Sequence, residues 1–243
     1  GAFMPDPDKA AALARAMIQL GADRGCPVIA LATAMDRPLG FACGNALEMY
    51  ESIEALKGKG PKDLMEVTFA LGAEMLVLAG VALDAAAAWG MMGDALDSGR
   101  ALAKFQEIVK AQRGDPRVVD DPDRLAKAPF VADYIAGREG FISEIAPRTI
   151  GYGVIALGGG RATMEDDIDP AVGFVITAKP GDAVHRGQAI ATVHARTDDG
   201  LKQGFAVISE AVTIADEPSP CLDLISTRFS QSGSEPWARP GGV

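Results

Sequence analysis

Val28-Ile29-Ala30-Leu31-Ala32-Thr33-Ala34-Met35-Asp36-Arg37-Pro38-Leu39-Gly40-Phe41-Ala42-Cys43-Gly44-Asn45 is the stretch on which the reading of the fold turns. Val28 to Ala32 is a short unbroken apolar run with helical patterns on both sides, which suggests a strand buried on both faces of a partly parallel sheet. Upstream, Asp6-Pro7-Asp8 reads as a helix start, with an N-cap, a proline at the first helical position and an acid in the first turn. Leu13, Met17 and Leu20 give that helix an apolar stripe, and Gly21 ends it. Downstream, a Gly/Pro-containing loop leads to Asn45, an N-cap with Glu48 three residues on, as in a capping box. Met49, Ile53 and Leu56 form the buried side of that helix, which closes at Gly58.

A further helix starts at Gly60-Pro61, with Leu64, Val67, Leu71 and Leu78 on one stripe. Others run from about Leu83 to Leu96 and onward from Ser98, the last carrying Leu102, Phe105 and Val109. Asp115 to Pro129 is rich in Pro, Asp and Arg and reads as a linker. Beyond it, Phe141 to Ile145, Gly153 to Leu157, Val172 to Thr177 and Ala189 to His194 are β-type runs. Turns such as Lys179-Pro180-Gly181-Asp182 and Arg186-Gly187-Gln188 separate them. One amphipathic helix follows, with Leu201, Phe205, Ile208 and Val212 on one side.

The expected class is α/β. Part of a mixed-sheet α/β domain spans 1–114, a linker 115–129, a small β-rich α+β C-terminal domain 130–216, and a poorly ordered Pro/Ser/Gly-rich tail 217–243. The opening Gly1-Ala2-Phe3-Met4 lacks an initiator methionine and reads as the start of a partial chain.

Of the 243 residues, 48% are hydrophobic and 23% charged, enough apolar material for a substantial core. A formal net charge of -10 argues against nucleic acid as partner, since such binding rests on clustered Lys and Arg. Cys26, Cys43 and Cys221 are odd in number and far apart, which gives neither a disulfide framework nor a zinc site and fits a reducing, cytoplasmic setting. The longest apolar region, Leu71 to Val81, is interrupted by Glu74 and is too short to span a bilayer.

Candidate chemistry is sparse. His185 and His194 sit in separate β-type segments with no nucleophile motif nearby, so structural or surface roles are favoured. Leu157-Gly158-Gly159-Gly160-Arg161 could cradle an anion through backbone N–H groups, against the simpler reading of a turn between strands. Glu165, Asp166, Asp167 and Asp169 form an acidic run without EF-hand spacing, and a solvated loop is favoured. The loop before Asn45 is more suggestive. It follows the C-terminal end of a strand, where open α/β sheets place ligands. Glu51, too far into the following helix to cap it, could join loop carbonyls around a hard cation; a surface glutamate is the simpler alternative.

A family resemblance runs through the chain. Gly1-Ala2-Phe3-Met4, Asp36-Arg37-Pro38-Leu39-Gly40, Gly44-Asn45-Ala46-Leu47-Glu48, Gly60-Pro61-Lys62-Asp63-Leu64, Phe141-Ile142-Ser143-Glu144, Gly158-Gly159-Gly160-Arg161, Asp169-Pro170-Ala171-Val172-Gly173 and Lys179-Pro180-Gly181-Asp182 resemble blocks of the thymidine/pyrimidine-nucleoside phosphorylases, in the family's order. The resemblance is to the C-terminal part of the enzyme. It implies phosphorolysis of a pyrimidine (deoxy)nucleoside, with nucleoside and phosphate as substrates, no organic cofactor and a homodimeric complete enzyme. It implies that the phosphate-binding loop and the Arg, Ser and Lys contacts to the base lie upstream of these residues, so that this chain alone is inactive. Phe3 then matches an apolar residue beside the base, and Leu39, Ala42 and Glu51 match two carbonyl ligands and one carboxylate ligand of a structural K⁺. The alternatives are a nucleoside monophosphate phosphorylase and a non-enzymatic β-hairpin carrier or interaction domain; for a carrier, no modifiable lysine stands at the hairpin turns that resemble biotinyl or lipoyl domains.

Overall fold

The computed structural model describes residues 4–161 and 163–241. In chain order the elements are α1 (Pro7–Asp23), β1 (Ala30–Thr33), β2 (Ala42–Cys43), α2 (Asn45–Glu54), α3 (Lys62–Leu78), α4 (Ala85–Asp97), α5 (Arg100–Ala111), α6 (Arg117–Asp120), β3 (Phe130–Ile135), β4 (Gly140–Ile145), α7 (Pro147–Ala156), β5 (Gly173–Ile176), β6 (Ala183–Val184), β7 (Ala189–Ala195), α8 (Asp198–Ala211), β8 (Val212–Ala215), β9 (Ile225–Ser230) and β10 (Gly233–Pro236). This is α/β material with a β-rich portion, as the sequence predicts. The chain divides into two compact units. One takes in the chain up to Met35, Lys62–Ala101 and the chain from Leu222 on; the other takes in Asp36–Pro61 and Leu102–Cys221.

In the first unit α1 begins as expected. Asp6 caps it, its carboxylate accepting the N–H groups of Asp8 at 2.9 Å and Lys9 at 3.2 Å. The sheet has the order β1-β9-β10, with Ala30 opposite Phe229. Two expectations are corrected here. β1 is half-buried along its length and pairs antiparallel with β9; it is not doubly buried in a partly parallel sheet. The segment read as a poorly ordered tail supplies β9, the central strand, because Ile225 and Phe229 are apolar, buried and four positions apart on one face of a strand. Val67, Ala70 and Ile225 form a small core with Leu31, Trp89, Leu224 and Trp237 against it. Arg228 meets the Glu74 carboxylate with two nitrogens, at 2.5 and 3.0 Å. The stripes read on the helices fare unevenly: Val67 is buried, while Met17, Leu20 and Leu71 are exposed.

The second unit holds two antiparallel sheets, ordered β2-β5-β7-β3 and β6-β4-β8. Its core joins Ile142 and Ile145 of β4, Phe174 and Ile176 of β5, Val193 of β7, Ile150 of α7 and Ile208 of α8. Each such side chain, fully withdrawn from water, contributes roughly 1.5–3 kcal/mol. Strands expected near 141–145, 172–177 and 189–194 appear as β4, β5 and β7. Gly153 to Leu157, read as a strand, lies instead mostly in α7. Pro147 opens that helix, and Gly153 lets it lie against Phe174 and Val207, where a β-carbon would come within 3.1 Å of the ring and 2.5 Å of the valine. Residues read as a linker include α6, whose Val119 is buried. α8 matches the amphipathic pattern, with Thr197 accepting the Gly200 N–H at 3.0 Å as its cap.

Candidate functional site

All of the loop that attracted attention in the sequence lies in the second unit, together with β2, α2 and the turn after β5. Gly40 takes the left-handed backbone region, φ +68°, which lets the chain double back into β2 at little cost. β2 is an outer strand, with Ala42 opposite Val175 and Cys43 opposite Phe174. The Phe41 carbonyl accepts the N–H of Ile176 at 2.7 Å. Bonded and non-bonded positions alternate along an antiparallel pair, so Ala42 turns its N–H and its carbonyl to the open edge. Glu51 Oε1 stands at that edge. It accepts the N–H of Ala42 at 3.2 Å and that of Phe41 at 2.8 Å. Hydrogen bonds to an ionised carboxylate are among the stronger kinds, so this is a firm clasp between α2 and the loop.

The capping box is only half realised. Glu48 Oε1 accepts the Gly44 N–H at 3.0 Å, but the cap residue is Gly44, and Asn45 begins the helix. The Asn45 side chain donates to the Gly159 carbonyl at 3.1 Å. Gly44 stands at φ +145°, packed so tightly on the Val172 carbonyl and Gly173 that a side chain is excluded.

A residue the sequence did not single out completes the arrangement. Lys179 Nζ donates to the Pro38 carbonyl at 2.8 Å and to the Gly40 carbonyl, and it lies 5.2 Å from the centroid of the Phe41 ring. The turn that carries it is itself pinned. Asp182 accepts the Lys179 N–H at 2.8 Å, Gly181 donates to Ile142 at 2.8 Å, and Ile142 donates back to Asp182 at 2.9 Å. Lys179 and Pro38 are 141 positions apart, so no spacing rule could have joined them. Its partners also bear on the carrier alternative: Lys179 stands in the turn between β5 and β6, strands of two different sheets, with its ammonium bound to two carbonyls of the same chain.

The electrostatics follow from this crowding. Burial pushes the Cys43 thiol up to about 12, the carboxylates of Glu48 and Glu51 push the same way, and the Lys179 ammonium opposes them. Beside the loop a cavity of about 350 Å³ is lined by Phe41, Leu47, Tyr50, Glu51, Glu54 and Lys59. There the Lys57 ammonium, 3.0 Å away, holds the Glu54 carboxyl below its usual range. Among the described residues no group of three or more His, Cys, Asp or Glu side chains could hold a metal ion. The donors at the loop are one carboxylate and backbone carbonyls, a set suited to a singly charged cation. A singly charged ammonium already stands on two of those carbonyls.

The other candidates take different parts. Gly158 and Gly159 spend their N–H groups on the Ile155 and Val154 carbonyls, so this part of the glycine run ends α7 and those two groups are engaged within the chain. Within the acidic run, Asp166 binds Thr163 and Asp169 pairs with Arg196 through two hydrogen bonds of 2.7 Å. His185 is exposed. His194 is half-buried, lines a second cavity of about 340 Å³ with Tyr50, Asp123 and Lys127, and has its pKa lowered by burial. Phe3 lies outside the described residues.

Comparison with known proteins completes the description. Residues 141–215 match the pyrimidine nucleoside phosphorylase C-terminal domain. The chain is 43% identical over 226 residues to a pyrimidine-nucleoside phosphorylase of Staphylococcus aureus strain bovine RF122 / ET3-1, covering 91% of this chain and 51% of that protein. It is 42% identical, with the same coverage, to the pyrimidine-nucleoside phosphorylases of strains USA300 and NCTC 8325 / PS 47. The chain thus spans about half the length of the curated relatives it matches.

Proposed function

Because this chain belongs to the pyrimidine-nucleoside phosphorylase family, we propose that it serves the phosphorolysis of thymidine or other pyrimidine (deoxy)nucleosides. In that reaction a phosphate oxygen bonds to C1′ of the sugar. The bond from C1′ to the base nitrogen breaks, and the base leaves with the electron pair, giving free base and (deoxy)ribose 1-phosphate. The protein's work is to position the two substrates and to stabilise the charge that develops on the departing base. We assign those contacts to parts of the complete enzyme beyond these 243 residues, apart from Phe3 at the border of the base. The complete enzyme is proposed to be a cytoplasmic homodimer.

The observation that carries this chain's part is the clasp of Glu51 on the N–H groups of Phe41 and Ala42. It fixes a carboxylate at the edge to which the Ala42 carbonyl turns. With the Leu39 carbonyl, these are the groups proposed to hold a structural K⁺, which when bound supplies positive charge beside the phosphate-binding loop. Glu51 and β2 orient that edge whether or not the ion is present. The test is Glu51→Gln in the complete enzyme. It should raise KM for phosphate and weaken the dependence of the rate on K⁺, with little change in folding. Full activity of the variant across a K⁺ titration would remove the assignment. The 243 residues alone should turn over no thymidine; turnover on the order of 1–1000 per second would refute that part.

A further inference from the structure

We propose that Lys179 is a positioning residue that supplies the 38–42 loop with a cation borne by the chain itself. The ammonium donates to the Pro38 and Gly40 carbonyls and faces the Phe41 ring, while the Glu51 carboxylate takes the N–H groups of Phe41 and Ala42. The five-residue segment is thus gripped by a positive group on its carbonyls and a negative group on its N–H groups. Carbonyl dipoles gathered on a turn repel one another, and a cation among them removes that cost.

Three features suit Lys179 to this task. Pro180 follows it and restricts its backbone, and the Asp182 carboxylate and the Ile142 backbone hold its turn. Its half-buried side chain leaves the ammonium poorly hydrated, so the carbonyls and the ring replace lost water. It is also the cation that opposes Glu48 and Glu51 at the Cys43 thiol, so the local charge is partly balanced within the chain. A diffusible ion at this loop would then meet the carbonyls of Leu39 and Ala42, those of Pro38, Gly40 and Phe41 being engaged. The inference rests on the cation reading only for that last step; the grip of Lys179 on the loop stands on its own contacts.

Amide hydrogen exchange tests it without recourse to activity. In Lys179→Met the amides of Phe41 and Ala42 should exchange about tenfold faster or more, with those of Val193 and Ile208 in the core unchanged. Lys179→Arg, which keeps the charge, the donors and the ring contact, should restore most of the protection. Adding K⁺ at constant ionic strength, with Na⁺ as the control, should slow exchange in Lys179→Met more than in the wild type. A K⁺ effect absent from both proteins, beside a loosened Met variant, would remove the diffusible ion and leave the role of Lys179 supported. Unchanged exchange in Lys179→Met, or an Arg variant as loose as Met, would overturn the proposal. Should Lys179→Met fail to fold, Lys179→Gln is read in the same way; core exchange rising in both would overturn it as well, by placing Lys179 in the service of the core.

Discussion

Gly40 lies directly beneath the Glu51 carboxylate: a β-carbon added to Gly40 would come within 2.9 Å of Glu51 Cδ and closer still to Oε2. The glycine also sits at φ +68°, where an L side chain is strained. Gly40→Ala therefore meets two penalties, one steric and one conformational. It should lower stability by roughly 1–3 kcal/mol, read as a shift in urea midpoint at constant slope. A loss under about 0.5 kcal/mol would show that Glu51 swings aside without consequence, and the clasp would be loose.

Cys43 should be the inert thiol of the three. With its pKa near 12, only about one molecule in ten thousand carries a thiolate at pH 8. Cys26 and Cys221 are exposed. Iodoacetamide at pH 8 should label both long before Cys43, as followed by peptide mass mapping, and denaturation should abolish the difference. Labelling of Cys43 at the pace of Cys26 in the folded protein would contradict its burial.

His194 makes the second unit acid-sensitive. Burial lowers its pKa below the ordinary value of about 6.5, so below that pH the unfolded chain binds more protons than the folded one. The sign follows: stability is complete above about pH 6.5 and declines as pH falls through that value toward the lowered pKa. The slope stays under the ~1.4 kcal/mol per pH unit of a full proton difference, and partial exposure reduces it further. Denaturant melts of wild type and His194→Gln between pH 7.5 and 5 should diverge on the acid side, with the variant flatter. Parallel curves would show that the imidazole is solvated in both states.

The second unit was largely readable from the chain because its signals are local. Phe141 to Ile145 and Ala189 to His194 are short runs with β-branched residues bounded by turn signals, and Thr197 caps a helix whose Leu201, Phe205 and Ile208 recur at helical spacing. Gly153 to Leu157 misled for a local reason too: a short apolar run with glycine fits a strand as well as a helix, and the contacts with Phe174 and Val207 decided it. The first unit was harder. Ile225 to Phe229 lies in Ser-rich sequence and becomes a strand through pairing with β1. At the site, Glu51 could be proposed from its place six residues beyond Asn45. Lys179 could not, because its partners come from a distant part of the chain and a lysine in a Pro-Gly turn has many uses.

β9 bears on how the molecule comes into being. Ser226 and Ala32 meet across 194 positions, so the first unit's sheet closes by one of the longest-range contacts the chain can make. During synthesis the ribosome releases all of Asp36–Pro61 and Leu102–Cys221 before Ile225 emerges. The later-starting unit can therefore mature while Ala30–Thr33 still waits for its neighbour, an unpaired edge open to the wrong strand. Loop closure over such a span is entropically slow. The emergence of β9 thus decides when Ala30–Thr33 becomes safe from misassociation.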